Sequence, residues 1–234
     1  MKFHEIIKQN RLFSFEQTSK KFNISVIANI AIDPIKPLLE YNLRSSGINA
    51  HVSISEFDNY VQESTKQENV DMIIIFWELI PIIEKNNFKV FYQSENIVNE
   101  IYSQIKKEVN LVIENLKMSP VIIFNKFLED PSKSHFYSDK NLEFLSAKLN
   151  LDLEKNKNLN LYIKDLSKII MNLGVENVYD KNSYYRSSSL YTLDFLKEYC
   201  ESISPIALSL VGKAKKVLVL DCDNTLWKGI LGED

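Results

Sequence analysis

Apolar runs that alternate with helical segments constrain the fold of this chain more than any other feature of its sequence. The runs at residues 24–30 and 70–77 are rich in β-branched side chains, as buried strands are. Strands separated by helices pair in parallel, and the helices cover both faces of the sheet. The pattern therefore predicts a doubly wound α/β fold with strands at residues 24–30, 48–54, 70–77, 121–124 and 159–163.

The segments between these strands show helical periodicity. Residues 35–43 place apolar side chains at intervals of three and four, and we expect Asp33 to cap this helix beside Pro34. A longer apolar stripe predicts a helix at residues 95–118, whereas the Tyr- and Ser-rich residues 179–189 predict an irregular loop. Further helices are predicted at residues 141–153, 165–173 and 190–211, the last with an interruption near Ser204 and Pro205.

Composition narrows the classes of function. The net charge of −3 disfavours nucleic acid as a partner. The 2 cysteines, Cys200 and Cys222, form no CxxC motif, which indicates a reducing compartment without a zinc site. The N-terminus lacks the apolar core of a signal peptide, and the most apolar run, residues 72–83, is too short to span a bilayer and is predicted to be a buried strand. These features predict a cytoplasmic protein without a membrane partner.

The most distinctive motif occupies residues 217–234 and reads VLVLDCDNTLWKGILGED. Its apolar start, residues 217–220, is long enough for a buried strand, and Asp221 follows directly. Ligands of open parallel sheets bind beyond the carboxyl ends of the strands. Asp221 and Asp223, two positions apart on a turning backbone, can both approach one cation there. Their carboxylates suit Mg²⁺, a hard ion that prefers oxygen ligands and keeps water or phosphate oxygens.

A strand followed by DxDxT resembles the first motif of the haloacid dehalogenase superfamily. The resemblance implies that Asp221 is the nucleophile, which forms an aspartyl-phosphate, and that Asp223 is the general acid and base. It also implies that both carboxylates bind Mg²⁺ and that Asn224 and Thr225 contact the substrate. This division of roles is chemically sensible, because a carboxylate attacks phosphorus without a base whereas the leaving oxygen needs a proton.

The longer string DNTLWKGILGED is similar to an extension carried by the FkbH-like subfamily. That subfamily is linked to glyceryl transfer onto carrier proteins and to capsule or polyketide biosynthesis. The resemblance implies Mg²⁺-dependent phosphoryl removal coupled to acyl transfer, with an acyl carrier protein or a phosphorylated small molecule as partner. The superfamily site also needs a downstream Ser or Thr, a Lys and an acidic pair. We therefore expect residues 213–234 to be the start of a truncated phosphatase domain, completed by a separate C-terminal portion if at all.

Residues 1–212 resemble the flavodoxin-like SGNH-hydrolase domain that precedes the phosphatase domain in FkbH-like proteins. Its catalytic blocks are altered here: Asn29 rather than Ser follows the first strand, Glu78 replaces an Asn-containing block after the third, and no His follows Asp180. We expect this domain to fold without the terminal stretch and to bind rather than hydrolyse. Asn29, Glu78 and Arg186 are its candidate pocket residues, since Arg suits carboxylate or phosphate.

Two alternatives stay open from the sequence. Asn29 and Glu78 are equally compatible with a pocket and with a purely structural place at the strand ends, and Arg186 lies in a stretch that its own aromatic side chains can pack. At the level of function, the rival of the phosphatase is a non-catalytic module that docks a carrier protein or a separate phosphatase subunit.

Overall fold

The computed structural model describes residues 1–16, 20–56, 59–86, 88–90, 93–128, 140–156 and 158–213. Apolar runs form a 5-stranded, all-parallel sheet, as the alternating pattern predicts. In chain order the strands are β1 (Phe22–Ala28), β2 (Ala50–Ile54), β3 (Met72–Phe76), β4 (Ile122–Asn125) and β5 (Leu161–Lys164). Their order across the sheet is β2-β1-β3-β4-β5, which confirms a doubly wound, flavodoxin-like α/β fold.

Helices connect the strands and cover both faces of the sheet. They are α1 (Phe3–Glu16), α2 (Ile35–Ser45), α3 (Tyr60–Thr65), α4 (Leu79–Lys85), α5 (Glu95–Asn115), α6 (Lys140–Glu154), α7 (Ser167–Leu173), α8 (Val175–Val178), α9 (Lys181–Ser187) and α10 (Leu193–Leu210). No helix in the described ranges is long and apolar enough to cross a bilayer.

Two hydrophobic cores lie on opposite faces of the sheet, because successive side chains of a strand point to opposite sides. In β3, Ile74 and Phe76 pack in one core with residues of α2 and α10. The alternate side chains Ile73 and Ile75 pack in the other core with residues of α5 and α6. Every residue of β3 is buried, which explains why this central strand reads as an uninterrupted apolar run.

The start of α2 corrects one prediction. Pro34, rather than Asp33, occupies the N-cap position, and no side chain caps the helix. Asp33 is exposed and lies one residue too early to reach the first turn. At the end of the helix, Gly47 adopts a left-handed φ of 77° and its N–H donates to Arg44 O at 2.8 Å.

Helix α10 corrects a second prediction, because Pro205 lies inside it without interrupting it. A proline in a helix removes one backbone hydrogen bond and costs about 3 kcal/mol. Ser204 Oγ donates to Cys200 O at 2.7 Å, one turn earlier. The buried face that carries Tyr199 and Ile203 packs in the core beside α2, and this packing keeps the helix continuous.

Two further segments differ from the sequence prediction. The irregular loop expected at residues 179–189 contains α9, whose first turn is capped by Asp180. The apolar run at residues 72–83 is a strand only as far as Phe76, and its second half is α4. An apolar run does not by itself distinguish a buried strand from a buried helix, and in this run Pro81 falls in the first turn of the helix, where proline is tolerated.

Candidate functional site

Polar side chains meet beyond the carboxyl ends of β1 and β3. Asn29 follows β1 directly and Glu78 lies two residues beyond β3, and both are buried. Asn29 Nδ2 donates to Glu78 O at 2.8 Å, and Glu78 N donates to Asn29 Oδ1 at 2.8 Å. The structure thus brings two of the predicted pocket residues together, and the amide of Asn29 binds the protein's own backbone.

The carboxylate of Glu78 is covered by a tyrosine from the segment before α10. Tyr191 OH donates to Glu78 Oε1 at 2.6 Å. The Tyr191 ring stacks on Phe195 with a centroid separation of 4.1 Å. Burial, and after it the negative charge of Glu78, holds the pKa of Tyr191 well above its ordinary value of 10.0. The phenol therefore stays protonated and keeps donating, and these side chains fill the crevice at the switch point between β1 and β3.

A second buried pair lies at the carboxyl end of β4. Tyr199 OH donates to Asn125 Oδ1 at 2.9 Å, and both residues are fully buried. Asn125 Nδ2 has no hydrogen-bond partner in the described part of the chain. Sequence reasoning missed Asn125 and Tyr191. Asn125 was detectable, because like Asn29 and Glu78 it is the first polar residue after an apolar strand, whereas nothing local marks Tyr191.

An open cleft of about 360 Å³ lies beside this closed crevice, at the carboxyl ends of β1 and β2. We refer to it as the β1–β2 cleft. Its walls are formed by the strand ends at Ala28 and Ile54, by Asp33 in the loop before α2, and by Ser187 and Ser188 at the end of α9. The Ala31 N–H donates to Ser188 O at 2.9 Å, which ties the end of α9 to the loop after β1.

Arg186, the third predicted pocket residue, lies apart from Asn29 and Glu78. It is exposed on the last turn of α9, next in sequence to the cleft residue Ser187, and it does not itself line the cleft. A role in binding an anion stays a prediction for this residue.

Ser183, where the resemblance to SGNH hydrolases leads us to expect a catalytic His, is part of a helix cap. Ser183 stands three residues after Asp180 and donates to its carboxylate from both N, at 3.0 Å, and Oγ, at 2.7 Å. The backbone N–H of Ser183 and then its hydroxyl lower the pKa of Asp180. Of the described histidines, His51 contacts Asn49 Oδ1 through Nε2 at 3.1 Å, and His4 is exposed on α1. Neither lines the β1–β2 cleft.

The motif residues at the end of the sequence lie outside the described residues. These are Asp221 and Asp223, predicted to be catalytic and to bind Mg²⁺, and Asn224 and Thr225, predicted to contact the substrate. Within the described ranges, no group of three or more His, Cys, Asp or Glu side chains is placed to hold a metal ion. The metal and catalytic assignments therefore stay predictions.

Comparison with solved structures finds a similar fold. A crystal structure of the N-terminal part of protein BF1531 from Bacteroides fragilis, which contains a phosphatase domain and is complexed with Mg, matches with a TM-score of 0.73 and 20% identity. The match covers 100% of this chain and 63% of that chain, so the chain spans less than two thirds of its neighbour's length. The salicylyl-acyltransferase SsfX3 from a tetracycline biosynthetic pathway matches with a TM-score of 0.44 and 13% identity, over 85% of this chain and 57% of that one.

Sequence comparison adds no assignment. No protein-family model matches the chain, and no curated protein matches it. At 20% identity the likeness to the Bacteroides fragilis protein establishes the fold alone. The chain therefore has the doubly wound α/β fold of the N-terminal part of a phosphatase-containing protein.

Proposed function

We propose that this chain is the N-terminal part of an FkbH-like, Mg²⁺-dependent phosphatase of the haloacid dehalogenase type. The strongest support is that two features occur in the same chain, one after the other. A fold similar to the N-terminal part of a phosphatase-containing protein is followed in the sequence by the motif VLVLDCDNTLWKGILGED. Residues 1–212 then form an accessory α/β domain, and residues 213–234 begin the catalytic domain.

In this proposal two carboxylates of the chain have different roles, one as the nucleophile and the other as the proton donor and acceptor. Asp221 attacks the phosphorus of a phosphorylated substrate and takes over the phosphoryl group, while Asp223 gives its proton to the leaving oxygen. Asp223 then removes a proton from the water that cleaves the aspartyl-phosphate. The donor set fits Mg²⁺, which when bound stabilises negative charge on the phosphoryl oxygens. The phosphoryl removal is coupled to transfer of a glyceryl or other acyl group onto a carrier protein.

The accessory domain does not hydrolyse esters in this proposal. An SGNH-type hydrolase needs a Ser nucleophile and a His base in hydrogen-bond reach. Asn29 follows β1 where the nucleophile is expected, and its amide is bonded to the backbone of Glu78. At the expected position of the base, Ser183 caps α9 together with Asp180. Both blocks thus have structural partners in place of catalytic ones.

Hydrolysis of p-nitrophenyl phosphate in the presence of Mg²⁺ tests the phosphatase. Residues 1–234 hold the proposed nucleophile but not the Lys and acidic pair that the superfamily site requires, so we expect background activity from them alone. Adding the missing portion in trans should give turnover, and Asp221→Asn should reduce it by a factor on the order of 10⁴ or more. Asp194→Asn, which changes an exposed carboxylate on α10, is the matched control and should not alter the rate.

Turnover by residues 1–234 alone that disappears in Asp221→Asn would contradict the expected incompleteness of the site. No turnover under either condition would contradict the phosphatase itself. Hydrolysis of p-nitrophenyl acetate tests the accessory domain separately. We expect none, and activity that is lost in Ser45→Ala or Ser183→Ala would show that the catalytic blocks lie elsewhere.

A non-catalytic binding module is the second candidate function, and the β1–β2 cleft favours it. The cleft is open and combines apolar strand ends with the carboxylate of Asp33 and the hydroxyls of Ser187 and Ser188. This function predicts binding of a carrier protein or a separate phosphatase subunit that Asp221→Asn leaves unchanged, with no turnover under any condition.

A further inference from the structure

The β1–β2 cleft combines apolar walls with a carboxylate that has no partner of its own. Ala28 and Ile54, at the ends of β1 and β2, give the cleft apolar walls. Among the described residues that line it, Asp33 carries the only charge. Asp33 is exposed, and no described residue forms a hydrogen bond or an ion pair with its carboxylate. A molecule in the cleft therefore meets a carboxylate that is free to accept hydrogen bonds.

Ser55 adds a hydroxyl to the same cleft. It follows β2, and its N–H donates to Val26 O at 2.9 Å, which fixes its backbone. Its Oγ is buried and has no hydrogen-bond partner in the described part of the chain. A buried hydroxyl without a partner is uncommon in folded proteins and calls for an explanation. Rotation of the Ser55 side chain breaks no hydrogen bond, so its hydroxyl can turn toward a molecule in the cleft.

Two serines at the end of α9 supply further hydroxyls. Ser187 Oγ donates to Ser183 O at 3.0 Å and keeps its lone pairs for an incoming donor. Ser188 has left-handed backbone with a φ of 56°, a conformation that Gly or Asn adopts more readily than Ser. Its carbonyl oxygen accepts the Ala31 N–H at 2.9 Å, and this bond holds Ser188 beside the loop after β1.

These groups restrict the chemistry of a ligand. A carboxylate only accepts hydrogen bonds, whereas a serine hydroxyl has a hydrogen to donate as well. An anion is disfavoured because the charge at Asp33 would repel it. An ammonium group suits Asp33 but cannot accept from Ser55 or Ser188. A hydroxyl group donates to the carboxylate and accepts from the serines, so a molecule with several hydroxyls matches all three residues.

We propose that the β1–β2 cleft binds a small neutral polyhydroxy compound, a polyol or a monosaccharide. Asp33, Ser55 and Ser188 form its hydrogen bonds, and its C–H groups pack on Ala28 and Ile54. The inference goes beyond the docking of a carrier protein, because it gives the cleft a small-molecule ligand of stated chemistry. It depends neither on that docking nor on phosphatase chemistry.

Four compounds with the same number of carbon atoms test this assignment. Backbone amide chemical shifts of the full chain are followed during titration with erythritol, butan-1-ol, butylammonium and butyrate. Erythritol should give saturable shifts at Asp33, Ser55 and Ser188, with a dissociation constant on the order of millimolar. The other three compounds, which lack the set of hydroxyls, should bind on the order of tenfold more weakly or not at all.

Single substitutions identify the residues that bind erythritol. Asp33→Asn keeps the size of the side chain but removes its charge, and it should weaken binding about tenfold. Ser55→Ala should weaken binding about fivefold. Ser53→Ala is the matched control on the same strand, because Ser53 Oγ donates to Ile24 O at 3.3 Å and does not line the cleft. Its affinity for erythritol should equal that of the parent chain.

The stability of Ser55→Ala separates a binding role from a structural one. Since Ser55 Oγ has no partner in the described chain, its removal should leave the midpoint of urea unfolding unchanged or raise it. A lower midpoint together with unchanged affinity would assign Ser55 to structure and overturn its role in the site. Absence of saturable shifts with erythritol would overturn the proposal, as would equal or tighter binding of any of the other three compounds. No readout uses turnover or a carrier protein, so a failed phosphatase or docking assay leaves this test intact.

Discussion

The two ends of the sheet differ in whether the polar side chains described here are buried or exposed. At the carboxyl end, Asn29, Glu78 and Tyr191 are buried and bonded to one another. At the amino end, Lys20 and Lys21 are exposed around an open apolar surface. A buried polar group without a partner costs about 1–3 kcal/mol, whereas an exposed ammonium group stays hydrated. Between β1 and β3 the carboxyl end is therefore held closed by its own hydrogen bonds, whereas the amino end leaves an apolar surface open.

Strand β1 offers a direct test of this difference, because an Asn lies near each of its ends. Asn29 makes two hydrogen bonds to buried backbone of Glu78. Asn23 makes one side-chain bond, from Nδ2 to Asn69 O at 3.0 Å, in an exposed setting. The same substitution at both positions compares the two ends of the sheet within a single strand.

The largest expected effect is that of Asn29→Ala. It leaves the N–H and the C=O of Glu78 without these partners in a buried site, so we expect a loss of about 3 kcal/mol in the free energy of unfolding. Asn23→Ala should cost less than about 1 kcal/mol, because water replaces its bond. Urea unfolding followed by circular dichroism measures both. Equal losses would show that the carboxyl end is not held by this pairing.

Tyr191→Phe sharpens the comparison at the closed end. It keeps the stacked ring but removes the hydroxyl that donates to Glu78 Oε1, and we expect a loss of about 1–2 kcal/mol. Tyr185→Phe is the control, since Tyr185 is 76% exposed and should lose almost nothing. A Tyr191→Phe protein as stable as the parent would mean that the carboxylate of Glu78 is satisfied without this phenol.

Glycine substitutions test how the open end is held. Gly47 and Gly212 both have left-handed backbone, with φ of 77° and 70°, so alanine at either should cost about 1 kcal/mol. Only at Gly47 would the new Cβ also meet Lys213 Nζ, at 2.8 Å. We expect Gly47→Ala to cost a few tenths of a kcal/mol more than Gly212→Ala in the free energy of unfolding. Equal losses of stability in the two variants would show that Lys213 does not help to hold the amino end of the sheet.

The smallest effect concerns pH and His51, near the amino end of β2. Burial and then the nearby Arg44 hold the pKa of His51 below its ordinary value of 6.5. The unfolded chain therefore binds a proton at a higher pH than the folded chain does, so stability is complete above about 6.5 and declines as the pH falls below it. Urea unfolding at several pH values should show a shallower decline in His51→Asn. An unchanged slope would exclude His51 as its source.

Strand β3 and the residues after it show how much of the secondary structure local sequence predicts. All of β3 is buried, so its apolar run has one stable solution, a central strand covered on both faces. The same reasoning was wrong for the second half of that run, which is α4, and for residues 179–189, which contain α9. Asp33 failed as a cap because Pro34 takes that position. Tertiary packing determines which of these alternatives forms, and the periodicity of a short stretch of sequence gives no information about that packing.

The amino-acid sequence is enough to predict the alternation of strands and helices, and with it the parallel, doubly wound sheet, because apolar periodicity is a local property. It also contains the DxDxT motif, whose assignment rests on resemblance. Two contacts become visible only in the folded chain: Asn29 binds the backbone of Glu78, 49 residues away, and Tyr191 donates to the carboxylate of Glu78 from 113 residues away. Such partners are chosen by strand order and register, which bring together groups that no local pattern relates.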